Sequence, residues 1–246
     1  MNFSIVDKLQ KKLKSFRPLN QAEVNRLREE FVIENTYNSN AIEGNSLTLR
    51  ETALVLEGVT IGEKPLKDHL EAIGHKEAFS LVFELAKQEI SINENIIKQI
   101  HSLVMMNDRQ NAGVYRKLPV RITGAVHTPT QPHQILEQME RLIAGFAVLK
   151  KDKHILEAIA EFHLRFEGIH PFLDGNGRTG RLIINLQLIQ AGFLPINIKY
   201  ADRRKYYECF DDYYGDKKTA EMLTNLIIGY QVEELERYIG IIERKE

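Results

Sequence analysis

The sequence predicts a mostly α-helical fold with one β-hairpin, and three observations carry that prediction. Apolar residues recur at helical spacing along most of the chain, capping residues precede several of those runs, and two-residue alternation is persuasive in one place only. The 246 residues are 43% hydrophobic, enough to bury a sizeable core in one large domain, or in one domain plus a small helical appendage.

The basic run from Lys8 to Lys14 reads as a solvated helix face. Asn20-Gln21-Ala22-Glu23 has a capping residue followed by glutamate, which opens a helix expected to reach about Gly44, where Gly44-Asn45 ends it. Thr48-Leu49-Arg50-Glu51 repeats the capping box and starts a short helix stopping at Gly58. Leu70, Ile73, Ala78, Leu81, Val82 and Leu85 then share one side of a helix over about residues 66–87. Ser91-Ile92-Asn93-Glu94 opens another, through Met106. From 118 to 131 the period changes: Val120 and Ile122 alternate with Arg121 and Thr123, Gly124 follows, and Val126-His127 leads into Thr128-Pro129, the pattern of a hairpin. Helix resumes after Pro132, with further runs over about residues 154–167, 177–190, 204–214 and 219–244. No repeat or low-complexity linker divides the chain.

Charge and cysteine content narrow the function classes. Lysine plus arginine (33) nearly cancels aspartate plus glutamate (34), so no strong net field draws the chain to nucleic acid or anionic lipid. Cys209 stands alone, which excludes an intrachain disulfide and a cysteine-rich zinc site. The opening residues, Met1-Asn2-Phe3-Ser4-Ile5-Val6-Asp7-Lys8, lack a leader pattern, and no apolar stretch of about 18 residues occurs. A cytoplasmic protein with no membrane partner is expected. His127, His133 and His163 have no zinc-ligand spacing and read as ordinary satisfied histidines.

Chemistry concentrates in Ile169-His170-Pro171-Phe172-Leu173-Asp174-Gly175-Asn176-Gly177-Arg178-Thr179-Gly180-Arg181. Its glycines allow close backbone approach to a ligand, and it feeds a helix N-terminus. Successive N–H groups at Gly175, Asn176 and Gly177 suit phosphate, while Arg178 and Arg181, three apart on the first turn, suit phosphate oxygens. Asp174 beside a polyphosphate is a candidate magnesium ligand. His170 can accept a proton near neutral pH as a general base.

Residues 170–181 resemble the Fic (Fido) family signature, His-Pro-Phe-x-Asp/Glu-Gly-Asn-Gly-Arg-x-x-Arg, at every fixed position. The resemblance implies the helical Fic fold with its β-hairpin flap, and transfer of AMP from ATP to a Ser, Thr or Tyr hydroxyl of a protein target, the chain itself included among the candidates. It implies that His170 deprotonates that hydroxyl, Asp174 binds Mg2+, Gly175-Asn176-Gly177 with the Asn176 side chain cradles the inner phosphates, and Arg178 and Arg181 hold the outer ones. Ser39-Asn40-Ala41-Ile42-Glu43-Gly44 resembles the inhibitory Ser/Thr-x-x-x-Glu-Gly/Asn pattern of family members with an N-terminal inhibitory helix. Glu43 would then pair with Arg181 where the γ-phosphate must go. Residues 1–60 form the expected inhibitory region and 61–246 the expected catalytic domain.

Gly113-Val114-Tyr115-Arg116 is similar to the family's pre-flap sequence, so Val120, Arg121, Ile122 and Thr123 are expected to dock the target main chain as an added strand. Lys205-Tyr206-Tyr207 resembles the border of the adenine pocket, with Tyr207 against the base, although these tyrosines equally suit core packing. Tyr214 stands where relatives of the animal endoplasmic-reticulum enzyme often carry asparagine. The resemblance leaves open removal of AMP with Glu43 activating water, a non-catalytic nucleotide sensor, and a homodimer.

Overall fold

The computed structural model describes residues 2–16, 21–88, 90–215 and 217–244. Ten α-helices account for most of them: α1 Phe3–Ser15, α2 Gln21–Ile42, α3 Leu49–Leu56, α4 Leu66–Lys87, α5 Glu94–Val104, α6 Ile135–Asp152, α7 Ile155–Ile169, α8 Asn176–Gln190, α9 Arg203–Tyr214 and α10 Glu221–Glu243. Helices α7 and α8 are buried around most of their circumference, through Phe162, Phe166, Leu182, Ile183 and Leu186 among others, and form the centre of the bundle. Helix α8 packs on α4, α5 and α7 and touches α2, while α10 packs on α7 and α1.

Local chemistry fixes the ends. Thr48 Oγ1 accepts from Glu51 N–H at 3.2 Å, and Glu51 Oε2 accepts from Thr48 N–H at 2.8 Å, so the expected capping box is formed. Helix α5 is capped by Asn93, whose Oδ1 accepts from Ile96 N–H at 3.1 Å; the start lies two residues later than a Ser91 cap would place it. Helix α2 closes as Gly44 turns left-handed (φ 92°), with Gly44 N–H on Ala41 O and Asn45 N–H on Asn40 O. The expected Asn20 cap lies outside the described residues.

Helix α2 is fastened along one side to the segment leading into α9. Asn35 Nδ2 donates to Asn197 Oδ1 (2.7 Å) and Ile196 O (3.2 Å), Asn38 Oδ1 accepts from Tyr200 N–H (2.9 Å), and Tyr207 Oη donates to Ile42 O (3.3 Å). Helix α1, whose basic face is exposed, is anchored by buried Val6, by Gln10 Nε2 on Gly192 O and by a Lys12–Glu243 ion pair.

The expected β-hairpin over 118–131 is not formed: no strand occurs among the described residues. Its turn is present, with Gly124 at φ 83° and Ala125 N–H on Ile122 O at 3.2 Å, but the flanks do not pair as a ladder. Pro119 and Pro129 have no N–H to contribute, and the carbonyls of Leu118 and Thr130 are taken by the Arg116 guanidinium instead. A ribbon of two short strands without a third is marginal in water, so alternation at Val120 and Ile122 alone does not hold one together.

Candidate active site

Helix α7 ends at His170, which adopts a left-handed backbone (φ 50°, ψ 60°) and donates its N–H to Phe166 O. That bend turns the chain through Pro171 and Phe172 into Gly175, also left-handed, and so into α8. The turn is rigid. Asn176 Oδ1 accepts from Phe172 N–H and its Nδ2 donates to Phe172 O, both at 2.9 Å, while His101 stacks on Phe172 and bonds Asp174 O at 2.9 Å. Gly113 N–H donates to His101 Nδ1, so the hydrogen of His101 sits on Nε2 and is directed at Asp174 O.

A cavity of about 380 Å³ opens above this turn. His170, Gly177, Arg181, Glu43, Tyr207, Ile122 and Thr123 all line it, although they are far apart in sequence. Arg181 is buried at its floor. Its Nε donates to Ser39 Oγ (3.0 Å), and its Nη2 donates to Ser39 O (2.7 Å) and to Glu43 Oε1 (2.8 Å). Burial works against that cation, but Glu43 and Tyr206 hold it protonated. The Glu43 carboxylate also rests against the first turn of α8: a Cβ on Gly177 would lie 2.2 Å from Glu43 Oε1. A side-chain anion thus occupies the place where backbone N–H groups and the helix dipole attract one.

Some expected residues stand elsewhere. Arg178 is 2% exposed and pairs with Glu71 of α4 at 3.0 Å, away from the cavity wall. The Asn176 side chain is committed to the turn itself. Val120 and Arg121 do not reach the cavity, whereas Ile122 and Thr123 do. Asp174 is largely exposed at the turn, with Oδ1 accepting from Gly175 N–H and 3.5 Å from Arg178. Tyr207 lines the wall beside Arg203, whose guanidinium lies 5.2 Å from its ring centre.

Burial, and secondarily the Arg116 charge, lowers the His170 pKa to about 4, so the imidazole is a free base at neutral pH. Its Nδ1 lies 3.8 Å from Glu167 Oε2, one turn back on α7. Burial and the nearby charge of Glu43 raise the Glu167 pKa to about 8. Glu167 and Arg116 were not identified as site residues from spacing. The available signal for the first was its position three residues before His170, one turn back on the same side of the helix. Arg116 donates from Nε to His170 O (2.8 Å), from Nη1 to Leu118 O (3.0 Å) and from Nη2 to Ile169 O (3.3 Å) and Thr130 O, tying both ends of the 118–130 segment to the His170 turn.

An anion-receptive turn at a helix N-terminus, a neutral histidine at its mouth and a carboxylate seated on its buried arginine define a mostly helical protein of the Fic type. Residues 91–188 match the family model described as Fic/DOC family, and the chain belongs to that family. It is 36% identical over 209 residues, 82% of this chain, to a protein adenylyltransferase Fic from Nematostella vectensis, and 30% identical over 214 residues to protein adenylyltransferase fic-1 from Caenorhabditis elegans. The chain covers 48% and 41% of those relatives, and so spans about half their length or less. Among solved structures it resembles a Fic domain containing signaling protein from Bacteroides thetaiotaomicron, with a TM-score of 0.89, 27% identity and 97% and 98% of the two chains covered. Fic-1 from C. elegans gives a TM-score of 0.84 at 28% identity, over 97% of this chain and 70% of that one. No helix among the described residues is long and apolar enough to cross a membrane.

Proposed function

We propose that the chain is a protein adenylyltransferase that moves AMP from ATP to a Ser, Thr or Tyr hydroxyl of a protein target, with Glu43 as its own restraint. The observation that carries this reading is the Glu43 carboxylate seated on Arg181 and against Gly177, in the cavity that His170 lines. Two curated relatives named protein adenylyltransferases support the same class of reaction. Residues 1–60 act as the inhibitory region and 61–246 as the catalytic domain. The reading includes a cytoplasmic location and pairing with a second copy, without a nucleic-acid or membrane partner.

His170 takes the proton of the target hydroxyl on the ring nitrogen facing away from Glu167. The hydroxyl oxygen bonds to the α-phosphorus of ATP as the bond from that phosphorus to the bridging oxygen breaks; pyrophosphate departs, and His170 later releases the proton to water. The N–H groups of Asn176 and Gly177 receive phosphate oxygens, joined by that of Gly175 once Asp174 Oδ1 releases it, and Arg181 holds the outer phosphate once Glu43 leaves it. Arg178 acts from behind by fixing Asp174 and Glu71, and Tyr207 borders the base. Ile122 and Thr123, flanked by Val120 and Arg121, guide the target main chain across the cavity. A single exposed carboxylate, Asp174, fits Mg2+, which favours one protein oxygen plus phosphates and waters. Bound there, the ion would neutralise charge on the departing pyrophosphate.

ATP labelled at the α-phosphate tests the reading. Glu43→Gly should raise label on protein by roughly ten- to a hundred-fold, the worth of one charged hydrogen bond. Glu43→Gly/His170→Ala, or chelation of magnesium, should abolish it. Label retained from the γ-phosphate would mean kinase chemistry and overturn the proposal.

Glu43 is about one-third exposed in the cavity shared with His170, which favours a second reading: a carboxylate that activates water to remove AMP from modified targets. Loss of that hydrolysis in Glu43→Gly would establish it, and unchanged hydrolysis would dismiss it.

A further inference from the structure

A second cavity, of about 480 Å³, lies on the other side of the 118–130 segment, walled by α6, α7 and the end of α9. It is separated from the first by two stacked rings: His127 and Tyr214 lie 4.1 Å apart at 24°, and His127 lines both cavities. Tyr214 is fixed, because its hydroxyl donates to Leu164 O at 2.8 Å and its ring occupies the space that a Cβ on Gly168 would need. The partition therefore stands on a rigid support, while both ring nitrogens of His127 lack a hydrogen-bond partner and are withdrawn from water.

The wall of the second cavity carries charge of one sign. Arg141 and Arg165 line it, with the Gln138 amide and the Thr128 hydroxyl, and no carboxylate does. Their own partners stand behind: Glu137 pairs with Arg141 one turn back on α6, and Glu161 pairs with Arg165 one turn back on α7. Glu161 is also shared with Lys153 at 2.9 Å, so Arg165 does not hold that carboxylate alone. Tyr213 Oη accepts from Arg165 Nε at 3.3 Å and steadies the guanidinium at the wall. Two arginines on the wall of an open cavity are suited to a carboxylate.

We infer that this cavity is a specificity subsite for an acidic side chain, Asp or Glu, of the target protein, a few residues along the chain from the hydroxyl presented to His170. The inference deepens the proposed transferase reading and rests on it. A target strand lying along the 118–130 segment delivers its hydroxyl to the first cavity, passes His127, and places its acidic residue between Arg141 and Arg165. Target choice is then set by a charge at a distance as well as by the modified residue.

The test measures binding, without ATP, of the unmodified chain to arrayed peptides with a central Ser between alanines, a single Asp placed in turn at each flanking position, and Lys in matched controls. One flanking position should prefer Asp over Lys by about five- to ten-fold. Arg141→Glu, at a well exposed residue, should reverse that preference, and Arg165→Met, which leaves no new charge on α7, should erase most of it. Equal binding of Asp and Lys peptides at every position, a preference untouched by both variants, or no peptide binding would overturn the subsite. Because no turnover is involved, absence of AMP transfer from Glu43→Gly sinks the transferase reading separately. Transfer with no charge preference sinks the subsite alone.

Discussion

His170 is poised as a base before any substrate arrives. An ordinary histidine would be half protonated near pH 6.5, whereas burial and Arg116 bring this one to about 4. Glu43 acts in the opposite direction, so its removal takes His170 lower still. Transfer by Glu43→Gly should accordingly stay level between about pH 5 and 8 and fall by half only below about pH 4; half-loss near 6.5 would contradict the burial. The glycine turn, His170 and Arg181 group together by their spacing, whereas Glu43, far away in sequence, enters only through the resemblance of residues 39–44 to the inhibitory pattern; the fold brings all of them to one cavity. What the spacing did not reveal is direction. Arg178 and Arg181 share a helix face on paper, yet Glu71 draws the first into the core while Ser39 and Glu43 keep the second at the cavity floor.

Between elements, the informative residue is Arg116. Its guanidinium bonds four carbonyls, two at the His170 turn and two at the ends of the 118–130 segment. Arg116→Ala leaves the buried Ile169 carbonyl and three partly buried ones without this donor and should cost about 1–3 kcal/mol in denaturant unfolding. Arg116→Lys should recover only part of it, because an ammonium cannot span the same fork. Limited proteolysis should then find cleavage concentrated within 118–130, and unchanged proteolysis would dismiss the tethering role. The helices were readable since periodicity and caps coincide, as at Thr48 and Asn93. The hairpin was misread because alternation reports which side chains face outward, whereas a ladder also requires backbone donors opposite acceptors. Here two prolines and one arginine divert them.

For the whole molecule, buried titratable groups set a pH window for stability. His75 and His163 are held neutral by burial and by Arg181, with pKa values lowered to about 3. The unfolded chain binds those protons below about 6.5 and the folded chain does not, so their contribution is present above 6.5 and lost as pH falls. Glu167 runs the other way: raised to about 8, its contribution is present below about 4.5 and lost as pH rises through 8. His101 and His170, lowered to about 4 by burial, act in the same direction, so the histidines outweigh the glutamate on the acid side and Tm should peak near pH 6.5 and fall on both sides. Glu167→Gln should flatten the decline between about pH 7 and 8, and an unaltered alkaline limb would assign it to other groups.

The seam that fastens α2 to the 196–207 segment also carries a statement about time. With Asn35, Asn38 and the Ile42 carbonyl all engaged, Glu43 has an inexpensive way off Arg181 through rotation of its own partly exposed side chain, with the helix left in place. Rotamer changes of that kind take picoseconds to nanoseconds, against microseconds to milliseconds for a helix shift. On the proposed reading, a restraint of this design would re-equilibrate many times within a single turnover. It would scale the steady rate by a constant factor, and the protein would carry no memory of having been switched on.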